Sequence, residues 1–266
     1  MNQFLDFLAK THSTYLHAKG EIATEHLINW LDCKPGERIL EFGVGTGGTL
    51  IKVVSRYPQT IFCGVDASDL MIDKTKKRLA FCHLKKSVVV QKIEKNQLDC
   101  FADNYFDKIY IESVLGIQSG NDLMLLLTLF GRILKPSGKL FLNETIWLNS
   151  TSLETVAQFN KFTREKFGIN QACASYPYID DWKRLLTTNQ FDILRIEKVD
   201  ALPAFKAKST LNEKLSLLFT FLGRVYGKLA LTHWSQRFEK AIKSAPTTQQ
   251  LMEGYLIMAH NAKASS

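Results

Sequence analysis

The sequence predicts an α/β fold in which a strand, a glycine-rich turn and a helix form the central unit. A short apolar run at 39–42 leads into glycines at 43, 45, 47 and 48, and a helix-like segment follows at 49–56. Further short apolar runs alternate with helical patterns along the chain, as expected for βαβ units. With 266 residues and 45% hydrophobic content, the chain can bury a sizeable core in one such domain.

The glycine-rich turn predicts a site for a nucleotide-like small molecule. Glycine is needed where the backbone adopts positive φ or must approach a ligand closely. The following helix start offers unpaired N–H groups and the positive end of the helix dipole. Gly43, Gly45 and Gly48 also satisfy the dinucleotide pattern G-x-G-x-x-G, so the glycines alone leave an NAD-dependent oxidoreductase open.

Glu41, two residues before the first glycine, favours a different ligand. A carboxylate at this strand end would repel a pyrophosphate and would suit a cation such as S-adenosylmethionine, which carries a sulfonium, an amino group and no phosphate. The spacing of Glu41, Gly43, Gly45 and Gly47 resembles the first motif, E/D-x-G-x-G-x-G, of the class I methyltransferases. The resemblance implies S-adenosylmethionine as cofactor, S-adenosylhomocysteine as product, and a Rossmann-like sheet of order 3-2-1-4-5-7-6 with strand 7 antiparallel.

Asp66 stands 18 residues beyond Gly48, at the end of the predicted second strand. A carboxylate there can accept both ribose hydroxyls of either NAD or S-adenosylmethionine. The run from Gly64 to Met71 resembles the second methyltransferase motif, and Glu94 stands where the family has an adenine-binding Asp. The resemblance implies cofactor contacts from Glu41, Gly43, Val44, Gly45, Thr46, Gly47, Asp66, Ala67, Met71, Ile93, Glu94 and Glu112.

The end of the predicted fourth strand, from Glu112 to Leu115, lacks the Asn/Asp-Pro-Pro-Tyr/Phe motif of enzymes that methylate bases in DNA. The run 134–140 resembles the family turn into strand five, which we expect to end at Glu144. Within the class, 106–110 and Glu144 resemble the small-molecule enzymes related to the ubiquinone/menaquinone, sterol and phosphoethanolamine methyltransferases. We therefore expect a small acceptor, with a lipophilic one preferred, and no nucleic-acid partner.

The sequence indicates the catalytic and acceptor-binding residues less clearly than the cofactor-binding ones. A general base is required if the acceptor is a hydroxyl or an acidic carbon, but less so for an amine. The candidates are Glu112, His17 and Glu144, and Tyr15, Tyr176 and Tyr178 are candidates for contact with the acceptor. Tyr15 and His17 can equally be ordinary helix-surface or capping residues. We predict no metal site.

We expect a single domain with four parts. The predicted parts are an N-terminal helical cap (1–35), the cofactor-binding core (36–145), the C-terminal half of the sheet (146–205 and 246–266) and a helical insert (206–245). The insert is strongly basic, with eight Lys or Arg and two Glu between 206 and 243. Its apolar positions recur at helical spacing, which predicts two helices that form a lid over the acceptor. The alternative is that they simply pack on the sheet.

The basic insert is also a candidate for weak contact with a membrane surface. No run approaches the length of a membrane span, and we recognise no signal peptide. Five cysteines, an odd number without a C-x-x-C pair, favour reduced thiols and a cytoplasmic location.

Two other functions stay open besides the oxidoreductase. One is an RNA methyltransferase that uses the basic insert, and the other is a binder that holds S-adenosylmethionine without transferring the methyl group. The oligomeric state is open as well.

Overall fold

The computed structural model describes residues 3–14, 20–94, 97–204, 207–246 and 250–263. Seven strands form one sheet of order β3-β2-β1-β4-β5-β7-β6, which confirms the predicted topology. The strands β1 to β5 are parallel, and β7 runs antiparallel to both of its neighbours, β5 and β6. The strands are β1 (Arg38–Phe42), β2 (Ile61–Asp66), β3 (Val88–Lys92), β4 (Phe106–Glu112), β5 (Leu134–Trp147), β6 (Phe191–Lys198) and β7 (Met252–Asn261).

Helices cover both faces of the sheet, because successive strand residues point to opposite sides. Leu40 and Ile109 pack with the helices of one face, whereas Ile39 and Tyr110 pack with those of the other. The first face is covered by α5 (Gly120–Ile133) and α7 (Ile179–Thr188), and the second by α2 (Glu21–Leu31), α3 (Gly48–Arg56) and α4 (Asp69–Phe81). The remaining helices are α1 (Gln3–Lys10), α6 (Leu153–Phe167), α8 (Leu211–Ala230) and α9 (Thr232–Lys243).

The predicted N-terminal helical cap (1–35) contains two separate helices, α1 and α2. The helix α1 ends at Lys10, where the Thr11 hydroxyl bonds to the carbonyls of Phe7 and Leu8. His12 then adopts a positive φ of 52°, which no right-handed helix can accommodate. Apolar spacing could not reveal this break, since it arises from local hydrogen bonding by a side chain.

Strand five is longer than predicted at both ends. Leu134 already pairs with Phe106, and the ladder shifts before Lys108, so the predicted turn at 134–140 lies within β5 as an irregularity. Ser137 adopts a φ of 60° there. At the other end the strand continues beyond Glu144 to Trp147, which pairs with Met252 of β7. The antiparallel partner stabilises these extra residues.

The two helices predicted between strands six and seven are present as α8 and α9. The first of them, α8, lies against α3 and α4 on one face of the sheet, and α9 contacts α6. Arg56 of α3 bonds through its guanidinium to Glu213 of α8 and to Glu25 of α2. These contacts pack α8 against α3 and α2, and the predicted lid over the acceptor stays a prediction.

Candidate functional site

The turn between β1 and α3 is held by its own backbone amides. The amides of Gly43 and Val44 donate to the carbonyl of Val65 at 2.8 and 2.9 Å, and the Gly47 amide donates to the Val44 carbonyl at 2.9 Å. Gly43 and Gly47 have φ of 82° and 79°, a region that glycine enters without strain. Since these three amides already bond within the protein, they are not available to a pyrophosphate.

Asp66, the last residue of β2, is fixed beside this turn. Its Oδ2 accepts from the Gly45 amide and its Oδ1 from the Ser68 amide, both at 2.9 Å. Burial raises the pKa of the carboxyl, and the backbone bonds partly oppose that rise. Each carboxylate oxygen can accept more than one bond, so the side chain can also accept two vicinal hydroxyls. A Cβ at Gly45, whose φ is 54°, would meet no atom within 4 Å, so the backbone here is open to a ligand.

Glu41 is only 5% exposed, and its carboxyl accepts from the hydroxyl of Tyr110 on β4 at 2.6 Å. Burial raises the pKa of Glu41 well above its ordinary value, and the neighbouring Glu112 and Asp66 raise it further. The environment therefore disfavours the negative charge that the sequence argument assigned to Glu41. Its observed partner is Tyr110, and its contact with the cofactor stays a prediction.

Glu112, the last residue of β4, is surrounded by donors. Its Oε1 accepts from the hydroxyl of Thr49 at 2.6 Å, and its Oε2 accepts from Thr24 at 2.9 Å and from the Asn143 amide at 2.8 Å. These partners belong to α3, α2 and β5. Glu112 thereby links both helices to the ends of the central strands, which makes it a positioning group in this structure; its predicted catalytic role stays a prediction.

Glu144 of β5 holds the turn that follows β4. Its Oε1 accepts from the amides of Val114 and Leu115 at 3.1 and 2.9 Å, and its Oε2 from the Gly116 amide at 3.0 Å. The side chain is fully buried. A carboxylate that already accepts three backbone bonds is better placed to fix this turn than to take a proton from a substrate.

A cavity of about 250 Å³ opens beside this turn. Apolar side chains of α1 form one wall, and the ends of β4 and β5 form another. The lining residues are Phe4, Leu5, Leu8, Ser113, Gly116, Ile117, Glu144, Thr145, Ile169, Asn170 and Gln171. Among the residues that the structure describes, the buried hydroxyl of Ser113 has no hydrogen-bond partner. Ser113 also adopts a φ of 55°, an uncommon conformation for a residue with a side chain.

The other residues predicted to contact the cofactor differ in their exposure to solvent. Val44, Thr46, Met71 and Ile93 are buried, whereas Ala67 and Glu94 are exposed. The Ser68 side chain caps α4 by accepting from the Met71 amide at 3.3 Å. The Ile93 amide donates to the Asp66 carbonyl at 3.1 Å, which places Ile93 next to the end of β2. Their contacts with a cofactor stay predictions.

Of the three tyrosines predicted to contact the acceptor, Tyr176 and Tyr178 do not line this cavity. Tyr178 precedes α7 and donates its hydroxyl to the Thr151 carbonyl at 2.8 Å. Tyr176 is partly buried against the core, and its carbonyl accepts from the indole of Trp182 at 2.9 Å. Tyr15 and His17 lie outside the described residues. Within the described part of the chain, no group of three or more His, Cys, Asp or Glu is arranged to hold a metal ion.

Sequence reasoning missed Ser113, the cavity wall of α1 and Arg78. Arg78 of α4 is fully buried and donates to the Thr46 carbonyl in the glycine turn at 2.7 Å. Ser113 follows Glu112 directly, so its position at the end of β4 could have identified it as a site residue. No sequence feature could have identified Arg78, because the cationic run at 74–78 is typical of a solvated helix face.

The described residues fit S-adenosylmethionine better than a dinucleotide. The amides of Gly43, Val44 and Gly47 bond internally, which disfavours a pyrophosphate on them. Asp66 offers a fixed carboxylate for the ribose hydroxyls of either ligand. Gly45 leaves room for a ligand over the turn.

Comparison with known proteins agrees with this geometry. A family model described as a methyltransferase domain matches residues 39–138. Over 131 residues, 49% of its length, the chain is 30% identical to phosphoethanolamine N-methyltransferase 1 of Zea mays, of which the match covers 25%. Over 111 residues, 41% of its length, it is 30% identical to a ubiquinone/menaquinone biosynthesis C-methyltransferase of Geotalea daltonii, of which the match covers 46%. The chain thus spans less than half the length of these relatives.

The fold is similar to that of geranyl diphosphate C-methyltransferase from Streptomyces coelicolor, whose crystal structure contains Mg²⁺, geranyl diphosphate and S-adenosylhomocysteine. The TM-score is 0.59 at 15% identity, over 90% of this chain and 78% of the other. The matched domain model at 39–138, together with the strand order and the glycine turn with Asp66, leads to one conclusion: the chain contains a class I S-adenosylmethionine-dependent methyltransferase domain.

Proposed function

We propose that this protein transfers a methyl group from S-adenosylmethionine to a small, lipophilic molecule bound in the cavity beside β4 and β5. The observation that carries the proposal is the contact between the glycine turn and the turn that follows β4. A Cβ at Gly43 would lie 2.3 Å from Cγ2 of Val114, so these two turns touch. Ser113, the neighbour of Val114, lines the cavity. A donor over the glycine turn and an acceptor in the cavity would therefore be adjacent.

The cavity lining supports an apolar acceptor with a polar end. Phe4, Leu5 and Leu8 of α1 supply an apolar wall, and burial of a lipophilic molecule there would be favourable. The Ser113 hydroxyl, buried and without a partner among the described residues, could bond to one polar atom of that molecule. A buried hydroxyl normally has a partner, so this atom indicates a ligand contact.

These residues can promote methyl transfer by holding the cofactor and the acceptor in a fixed relative position. When bound, S-adenosylmethionine would supply a sulfonium-activated methyl group; an acceptor nucleophile in line with the C–S bond would form a bond to the methyl carbon as that bond breaks, with S-adenosylhomocysteine as the leaving group. Glu144 fixes the turn at 114–116 between the two ligands, and Glu112 fixes the neighbouring strand end. Such fixed geometry, together with exclusion of water by the wall of α1, lowers the barrier to transfer.

A non-catalytic binder of S-adenosylmethionine is the main competing function. The adjacent cavity favours an enzyme, since a protein that only binds the cofactor does not need a second chamber beside the end of β4. The oxidoreductase alternative is disfavoured by the glycine turn, because its amides already bond internally.

Transfer of a tritiated methyl group tests the proposal. The purified protein with labelled S-adenosylmethionine would be offered lipid extracts, polar small molecules and RNA as separate acceptor pools. We expect label in a small product that partitions into organic solvent. Label in RNA, or in no pool, would contradict the proposal.

A cavity-filling variant locates the acceptor. Leu8→Trp would place a larger side chain in the cavity and should reduce transfer at least tenfold while cofactor affinity stays within about twofold. Leu153→Trp, at an exposed position on α6, is the matched control. Full transfer by Leu8→Trp would place the acceptor elsewhere.

A further inference from the structure

The helix α8 buries its polar and small residues and exposes its apolar ones. Its buried face consists of Glu213, Ser216, Phe219, Thr220, Gly223 and Gly227. Its exposed face consists of Leu211, Leu217, Leu218, Phe221, Leu222, Val225, Tyr226 and Leu229. Phe221 is 61% exposed and Leu229 is 80% exposed. This pattern is the reverse of that of an ordinary surface helix, whose apolar side faces the core.

Specific contacts prevent α8 from turning this face inward. The guanidinium of Arg78 donates to the Ser216 carbonyl and hydroxyl and to the Thr220 hydroxyl, at 2.8 to 3.0 Å. Farther along the helix, a Cβ at Gly223 would lie 2.4 Å from Cγ of His12, so the N-terminal segment packs directly on the helix backbone. The apolar face is therefore presented outward by the packing of the opposite face.

Cations accompany the exposed apolar face. Lys214, Arg224 and Lys228 on α8 are exposed, as are Arg237, Lys240 and Lys243 on the following helix α9. Of the two acids in this insert, Glu213 is buried against Arg56 and Glu239 is exposed. A wide apolar stripe with Lys and Arg beside it is typical of a helix that lies in the plane of a membrane surface.

We propose that the exposed face of α8 docks on a lipid bilayer that contains anionic phospholipids. Charge complementarity supports this occupant, because the cations would lie at the level of the anionic headgroups. A second copy of the chain fits less well, since the flanking cations of two antiparallel α8 helices would face each other. No described helix alone is long and apolar enough to cross a membrane, and α8 and α9 satisfy length and composition only as a pair bent by 97°. The contacts of the buried face favour contact along the surface.

This interaction surface is independent of the proposed methyl transfer, and vesicle binding tests it without any activity measurement. The 266-residue chain would be floated with vesicles of phosphatidylcholine alone and of phosphatidylcholine with phosphatidylglycerol. We expect binding to the anionic vesicles that weakens with added salt. The double variant Leu218→Glu/Leu222→Glu should reduce binding at least about tenfold, and each of Lys214→Gln, Arg224→Gln and Lys228→Gln should reduce it about fivefold.

Leu125→Glu is the matched control, because Leu125 is a half-exposed leucine on α5, on the opposite face of the sheet. It should bind vesicles as the unchanged protein does. Circular dichroism and calorimetric binding of S-adenosylmethionine would show that each variant is folded. The proposal is overturned if the unchanged protein ignores anionic vesicles. It is also overturned if sedimentation shows a dimer that the double variant dissociates while vesicle binding is absent, since a second copy would then cover the face.

Discussion

The Arg78 guanidinium on α4 donates to the carbonyl of Thr46 at 2.7 Å, so that a buried cation holds the turn between β1 and α3. The same side chain donates to the His12 carbonyl at 3.0 Å and to Ser216 of α8. One residue thus joins the glycine turn, the N-terminal segment and the insert between β6 and β7. The planar fork of arginine suits this task because it directs several donors at once.

Replacement of Arg78 should destabilise the protein and loosen the glycine turn. Arg78→Met would leave several buried acceptors without their donor, at a cost of about 3 kcal/mol or more in the free energy of unfolding. Arg78→Lys should recover only part of that loss, because a single ammonium cannot replace the fork. Urea unfolding measures the effect, with the exposed Arg184→Met as control. Equal stability of Arg78→Met and the control would contradict this assignment.

Glu41 should make stability depend on pH in a defined direction. Its pKa in the folded protein is raised above the ordinary value of 4.5, chiefly by burial. The folded state therefore holds the proton more tightly, so stability contributed by this group is present below about pH 4.5 and is lost as pH rises through the folded pKa. Glu41→Gln keeps a partner for Tyr110 and cannot ionise. The stability of Glu41→Gln relative to the unchanged protein should therefore rise as pH increases above about 4.5. Thermal unfolding of both proteins at a series of pH values measures this difference. A difference that does not change with pH would contradict a raised pKa.

The motifs gave the strand order, because a strand, a glycine turn and an acid at the next strand end recur in fixed order in this fold. They could not give the environment of each acid. Glu41 has the spacing of a ligand contact, yet it bonds to Tyr110 across the register of β1 and β4, a pairing that exists only in the folded sheet. Spacing also predicted the helix α8 but not its outward apolar face, which depends on Arg78 and His12 from distant parts of the chain.

A substitution at Glu144 distinguishes a positioning role from that of a general base. Glu144→Gln would place an amide donor toward backbone N–H groups, which should cost about 1–3 kcal/mol in the free energy of unfolding. Methyl transfer should fall while its pH profile keeps its shape, since no titrating base is removed. Glu154→Gln, on the exposed side of α6, is the control for stability. A variant with unchanged stability whose activity no longer depends on pH would instead identify Glu144 as the base.

The most direct test of the central claim is calorimetric titration of the protein with S-adenosylmethionine, S-adenosylhomocysteine and NAD, repeated on Asp66→Ala. The geometry of Asp66 and the glycine turn predicts affinity on the order of micromolar for both sulfur compounds. It also predicts a loss of about tenfold or more in the variant, because a charge-assisted bond to the ribose is removed. Binding of NAD alone, or equal affinity of Asp66→Ala for S-adenosylmethionine, would contradict the account.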